Sequence, residues 1–93
     1  MLDLETTIRR FIARDIMGEK HESAVKVDDP LLENGILDSA GILEMVAFLE
    51  TELGIEVSDN EIEAENFISV ESIAQLVKRS DSSNGVKEAK SLR

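Results

Sequence analysis

Cysteine, tryptophan and tyrosine are all missing from this 93-residue chain, and proline occurs once. Without cysteine there can be no disulfide framework, no thiolate metal site and no cysteine nucleophile, so any thiol chemistry must be imported. An aromatic content of 3%, set against plentiful Leu, Ile, Ala and Glu, suits helices better than strands, and the expected fold class is all-α. No apolar run approaches the roughly 18 residues that a membrane span needs. Asp3 and Glu5 ahead of Arg9 and Arg10 do not make a signal peptide. The expectation is a single domain, cytoplasmic and monomeric, with no membrane insertion. A chain this short buries a modest core but does not roof a deep catalytic pocket, which favours a module that binds or carries over an enzyme.

Positive charge is missing from the middle of the chain. All ten Lys and Arg fall at or before Lys26 or at or after Lys78, and the stretch from Val27 to Val77 holds thirteen Asp and Glu with no basic residue. The net charge is −10. Such a surface repels nucleic acid and attracts basic protein surfaces. Its bland role is to keep a small domain soluble.

Apolar periodicity divides the chain into helices. Leu4, Ile8, Phe11, Ile12 and Ile16 make one stripe, which predicts a first helix from about Asp3 to Met17 with Gly18 as its stop. From Glu19 to Leu37 the pattern dissolves into a long polar connection with a turn signal at Asp28-Asp29-Pro30 and another at Asn34-Gly35. So long a loop needs anchors, and Leu31, Leu32, Ile36 and Leu37 are the candidates. Ser39 to Leu53 predicts a second helix whose core side is Ile42, Met45, Val46, Leu49 and Leu53, ended by Gly54. Ser58-Asp59-Asn60-Glu61 has the form of a capping box and predicts a short helix or turn ending before Asn66. Ser69 caps a last helix with Val70, Ile73, Ala74, Leu76 and Val77 inward and Lys78-Arg79 at its end. The expected architecture is a small four-helix bundle, three principal helices plus one short one, over residues 1–79. Residues 80–93, polar and without periodicity, are expected to form a disordered tail.

Chemistry is concentrated at Gly35-Ile36-Leu37-Asp38-Ser39-Ala40-Gly41. Asp38 and Ser39 stand where loop meets helix, a place where either residue is ordinarily a cap. The same place suits a covalently held phosphate, because first-turn amides and the positive end of the helix dipole favour an anion. Ser39 is not expected to be a catalytic nucleophile. The one histidine, His21, lies in a polar loop with no third group to orient it. Around the second helix, at about 100° per residue, Ala40, Glu44, Ala47 and Thr51 fall opposite the core and Leu43 and Glu50 flank them. An outer strip of small or apolar residues edged by acids results.

Asp38-Ser39, preceded by Gly35 and followed by an acidic amphipathic helix, resembles the phosphopantetheine attachment signature of acyl and peptidyl carrier proteins. The resemblance runs from about Leu31 to Val77 and includes the Gly54-Ile55-Glu56-Val57 exit, the short third helix and the Ser69 cap. It implies that a phosphopantetheinyl transferase moves the 4'-phosphopantetheine of coenzyme A onto Ser39, with Asp38 as the neighbouring acid of the motif. Acyl or aminoacyl groups would then ride as thioesters on the arm's thiol. Partners on this reading are the transferase, an acyl- or aminoacyl-activating ligase and downstream acyl-processing enzymes of fatty-acid, polyketide or nonribosomal-peptide biosynthesis. Ala40, Leu43, Glu44, Ala47 and Glu50 would form the docking surface.

Two positions depart from the pattern. Ala40 stands where many fatty-acid carriers have a large aliphatic residue, and Gly41 where an acid is common. The resemblance is therefore nearer to free-standing carriers served by a specialised ligase, such as the D-alanyl carrier type. A bare Ala40-Gly41 surface would admit a close-packed partner or arm. The competing readings are an unmodified acidic helical interaction module and a calcium site built on Asp59, Glu61, Glu63 and Glu65. An EF-hand loop starting at Asp59 fails, because Ala64 stands at its sixth position and Val70 at its twelfth.

Overall fold

The computed structural model describes the backbone of residues 3–91 and the side chains as far as Ser80, Glu22 excepted. Three α-helices carry the fold: α1 (Leu4–Phe11), α2 (Ser39–Glu52) and α3 (Val70–Ser91). Short 3-10 turns at Glu22–Ala24, Asp59–Glu61 and Ala64–Phe67 punctuate the connections, and among the described residues there is no strand.

Asp3 opens α1 by accepting the Thr6 amide on Oδ1 at 2.7 Å, and that hydrogen bond holds its carboxyl below the ordinary carboxylate range. The first helix then covers its expected length, but in two geometries. Beyond Phe11 the chain widens into a π-helical turn, Ile12–Ile16, in which the Met17 amide donates to the Ile12 carbonyl at 2.8 Å. Ile12 and Ala13, at the start of that turn, are both fully buried. Gly18, at φ +74°, stops the helix in the left-handed conformation that costs glycine least.

All four expected anchors hold the long loop, Leu31 and Leu37 buried and Leu32 and Ile36 partly so. Backbone bonds reinforce them. The Leu31 amide donates to the Ile68 carbonyl at 2.7 Å and the Glu71 amide to the Val27 carbonyl at 3.0 Å, tying the loop to the start of α3. Arg9 Nε donates to the Val25 carbonyl at 2.7 Å, tying it to α1. Val25 is fully buried, an anchor that the polar run around it conceals in the sequence.

The expected short helix or turn is the 3-10 turn Asp59–Glu61, and a second 3-10 turn, Ala64–Phe67, follows it through Asn66. Glu61 accepts from the Ser58 amide and hydroxyl, both at 3.2 Å, so the first turn is held as the capping pattern predicts. Asn66 donates to the Glu61 carbonyl at 2.8 Å and accepts from Arg79 at 3.1 Å. Phe67, the largest fully buried side chain, draws the second turn inward. Ser69 caps α3 by accepting the Ser72 amide at 3.1 Å, and Val70, Ile73, Ala74, Leu76 and Val77 are all buried as expected. Helical backbone continues past Arg79, the expected end, through Ser91. Residues 80–91 contain no proline to stop it, although Gly85 costs about 1 kcal/mol against alanine. Residues 92 and 93, the remainder of the expected tail, lie outside the described residues.

Loop anchoring is directly measurable. Truncating Leu31, which is fully buried, to alanine should cost about 2–5 kcal/mol in denaturant unfolding. The exposed Glu33→Ala should stay within about 0.5 kcal/mol. Equal effects would mean that the loop is not part of the cooperative core.

Candidate functional site

The junction of loop and α2 is built around Leu37. Its side chain is 2% exposed, and its amide donates to the Leu31 carbonyl at 3.0 Å, so the last loop residue is fixed from both sides. Asp38 follows in an extended conformation, φ −123° and ψ −168°, and is the cap of α2. Its Oδ1 accepts the Gly41 amide at 2.8 Å and its carbonyl accepts the Ile42 amide at 2.8 Å. Ser39 is then the first helical residue and is exposed. Its amide and that of Ala40 belong to the first turn, which has no intrahelical acceptors.

Gly41 is buried, and its position corrects the expectation of a bare Ala40-Gly41 surface. A Cβ at residue 41 would stand 3.0 Å from Leu37 Cδ2 and 3.4 Å from Asp38 Oδ1. The glycine faces inward and makes room for Leu37, while Ala40 is exposed. Any side chain at this position, an acid included, would require Leu37 to give by a few tenths of an ångström.

Farther along α2, Met45, Val46 and Leu49 are buried, with Ile42 and Leu53 packed against them at the edge. Ala40, Leu43, Glu44, Ala47, Glu50 and Thr51 are exposed, as the helical repeat requires. Leu43, at 60%, is the most exposed large hydrophobic side chain among the described residues. Among the described residues no hydrogen bond or ion pair holds Glu44, whereas Glu50 Oε2 accepts the Val57 amide at 3.3 Å. Glu50 thus has a structural task that its helical phase does not reveal. His21 is exposed in the loop, and among the described residues no group of three or more His, Cys, Asp or Glu is placed to hold a metal ion.

A phosphodiester on the residue-39 hydroxyl is compatible with this geometry. The oxygen is at the surface, the helix start supplies a favourable dipole, and the Asp38 carboxylate is engaged on the Gly41 amide. The family model for the phosphopantetheine attachment site matches residues 7–78. The chain is 36% identical over 77 residues to a probable acyl carrier protein, PigG, of a Serratia strain, covering 82% of this chain and 86% of that one. It is 33% identical over 79 residues to the acyl carrier protein of Buchnera aphidicola, covering 85% and 96%, and 34% identical over 67 residues to that of Campylobacter hominis, covering 69% and 82%.

The chain belongs to the acyl carrier protein family.

An acyl carrier protein carries acyl groups on a covalent 4'-phosphopantetheine, serves biosynthetic enzymes and does not itself catalyse. The arm supplies the thiol that this cysteine-free chain lacks. The long-loop bundle is the fold expected of such a carrier. Among the described residues no helix is long and apolar enough to cross a membrane.

Two features near the site escaped the sequence reading. Ile68, 46% exposed, precedes the Ser69 cap, a position at which an apolar residue commonly packs inward on the following turn. Phe48 lies at the edge of the α2 core face and stacks on Phe11 with centroids 4.2 Å apart. Their pairing could not be read from either helix alone.

The Leu37–Gly41 approach yields a test. Gly41→Asp should lower unfolding stability by about 1–3 kcal/mol through overpacking, despite the better helix propensity of aspartate. A variant as stable as the wild type would show that Leu37 yields freely and that the glycine has no packing role.

Proposed function

We propose that Ser39 is the residue that bears the 4'-phosphopantetheine arm. The observation that carries this reading is the exposed Ser39 hydroxyl at the first position of α2, directly after a capping aspartate, within the region matched by the attachment-site family. Asp38 acts as a positioning residue: its hold on the Gly41 amide starts the helix so that residue 39 faces outward. The arm comes from coenzyme A through a phosphopantetheinyl transferase, and an acyl- or aminoacyl-activating ligase loads it. Thioester cargo then passes to downstream acyl-processing enzymes. The protein acts in the cytoplasm, where coenzyme A is available, as a monomer. Its carrier unit is residues 1–79, in keeping with a family match that ends at residue 78. The segment 80–91 continues α3 beyond that unit, with Ser80, 2% exposed, still buried against it.

Docking uses the outer face of α2. Ala40 and Ala47 leave the helix backbone approachable, Leu43 offers an apolar contact, and Glu44 and Glu50 attract basic residues of the partner. Charges of this kind act mainly on the rate of encounter. Because Glu50 also accepts the Val57 amide, Glu44 is the cleaner probe of charge.

Incubation with coenzyme A and a broad-specificity transferase, followed by intact-mass measurement, tests attachment. Wild type should gain one arm. Ser39→Ala should gain none while keeping its stability within about 0.5 kcal/mol, since Asp38 and not Ser39 supplies the cap. A Ser39→Ala protein that still accepts the arm would refute the assignment, and a wild type that never accepts one would favour an unmodified interaction module.

The docking surface has its own readout. Glu44→Lys, alone or with Glu50→Gln, should slow arm transfer several-fold at low salt, with the deficit shrinking as salt screens the repulsion. Glu5→Lys, on α1, should matter much less. Transfer at wild-type rate by the α2 variants would remove this face as the docking surface.

A further inference from the structure

Phe11, the last residue of α1, and Phe48 of α2 stack with ring planes inclined by 21° and centroids 4.2 Å apart, and both remain partly exposed. The pair lines an open groove of about 660 Å³ whose other lining residues are Asp15, Glu44, Ala47, Thr51 and Glu52. A smaller groove, which the same two rings also line, is bordered by Thr7, Arg10, Arg14 and Asp15. Both rings and Asp15 line the two grooves, the larger an acidic trough along α2 and the smaller bordered by arginines.

The trough combines an aromatic wall with three carboxylates and no basic lining residue. An arginine suits that combination: its guanidinium plane can lie on an aromatic ring while its N–H groups reach carboxylates. An apolar chain suits it poorly, because it would desolvate carboxylates without pairing them. Glu44 and Ala47 belong both to this trough and to the outer face of α2. A protein lying along α2 would reach the trough without a break in contact.

We propose that the Phe11–Phe48 trough receives an arginine or lysine side chain of a partner protein docked along α2. This rests on the reading of α2 as the docking face and extends that face onto α1. Asp15, Glu44 and Glu52 pair with the cation, and Phe48 with Phe11 provides the surface beneath it. The partner is thus one that presents a basic side chain flanked by small apolar ones.

The test uses the full chain, isotope-labelled for NMR. The probe is an acetylated and amidated helical peptide carrying one arginine between leucines. The control peptide has citrulline, equal in shape but neutral, in place of the arginine. Shift changes should centre on residues 11, 15, 44, 48 and 52, and the citrulline peptide should bind at least five-fold more weakly. Phe48→Leu, which keeps an apolar side chain and so protects the fold, should weaken arginine-peptide binding several-fold. The proposal is overturned by the absence of binding, by equal binding of both peptides, by changes spread over the whole acidic surface and indifferent to Phe48→Leu, or by sedimentation showing that a second copy of the chain occupies the trough. Ser39→Ala should bind the peptide as wild type does. Failure of arm attachment and failure of the trough are thereby separate results.

Discussion

Leu37 Cδ2 lies 3.0 Å from the point where a side chain on residue 41 would begin, and the foot of α2 is built on that close approach. Burying Leu37 ends the loop at a fixed point, and the glycine lets the helix start directly above it. With Leu37 inward, Asp38 is placed to cap the helix on the Gly41 amide and the next residue, Ser39, is turned to solvent. Packing below the helix start and exposure above it are two sides of one constraint. The rest of the loop serves the same end, with Leu31 in the core and its amide on the Ile68 carbonyl, so the start of α2 is referenced to α3 as well.

Such a construction suits a carrier. A covalent arm needs an attachment atom that is accessible to a modifying enzyme and a base that does not move. Catalysis would ask for the opposite, a nucleophile enclosed with a base beside it. The acidic middle of the chain adds long-range attraction for basic partners without tight binding, which fits a protein that must meet several enzymes and leave each of them.

Most of this was legible in the sequence because it rests on local periodicity. The α3 core face, the buried centre of α2, the loop anchors and the Ser69 cap all follow from apolar spacing and capping chemistry, and all are present. What escaped depends on contacts between distant residues. Gly41 reads as a surface departure from its family until Leu37 is seen beneath it. Glu50 reads as a surface acid until the Val57 amide is found against it. Phe11 reads as an ordinary position in the first apolar stripe, and nothing in the α2 pattern singles out Phe48 until the two rings stack. The π-helical turn and the continuation of α3 past Arg79 were missed for a different reason, since neither has a strong residue signature.

Ser39, among several serines of the chain, is the one proposed to bear the arm. Fragmentation mass spectrometry of wild-type protein, produced together with a phosphopantetheinyl transferase and digested to peptides, locates the modification without altering any residue. The added mass is expected on Ser39 alone, with Ser58, Ser69 and Ser72, which are engaged at the turn and helix starts, unmodified. An arm found on any other serine, with Ser39 unmodified, would contradict that assignment.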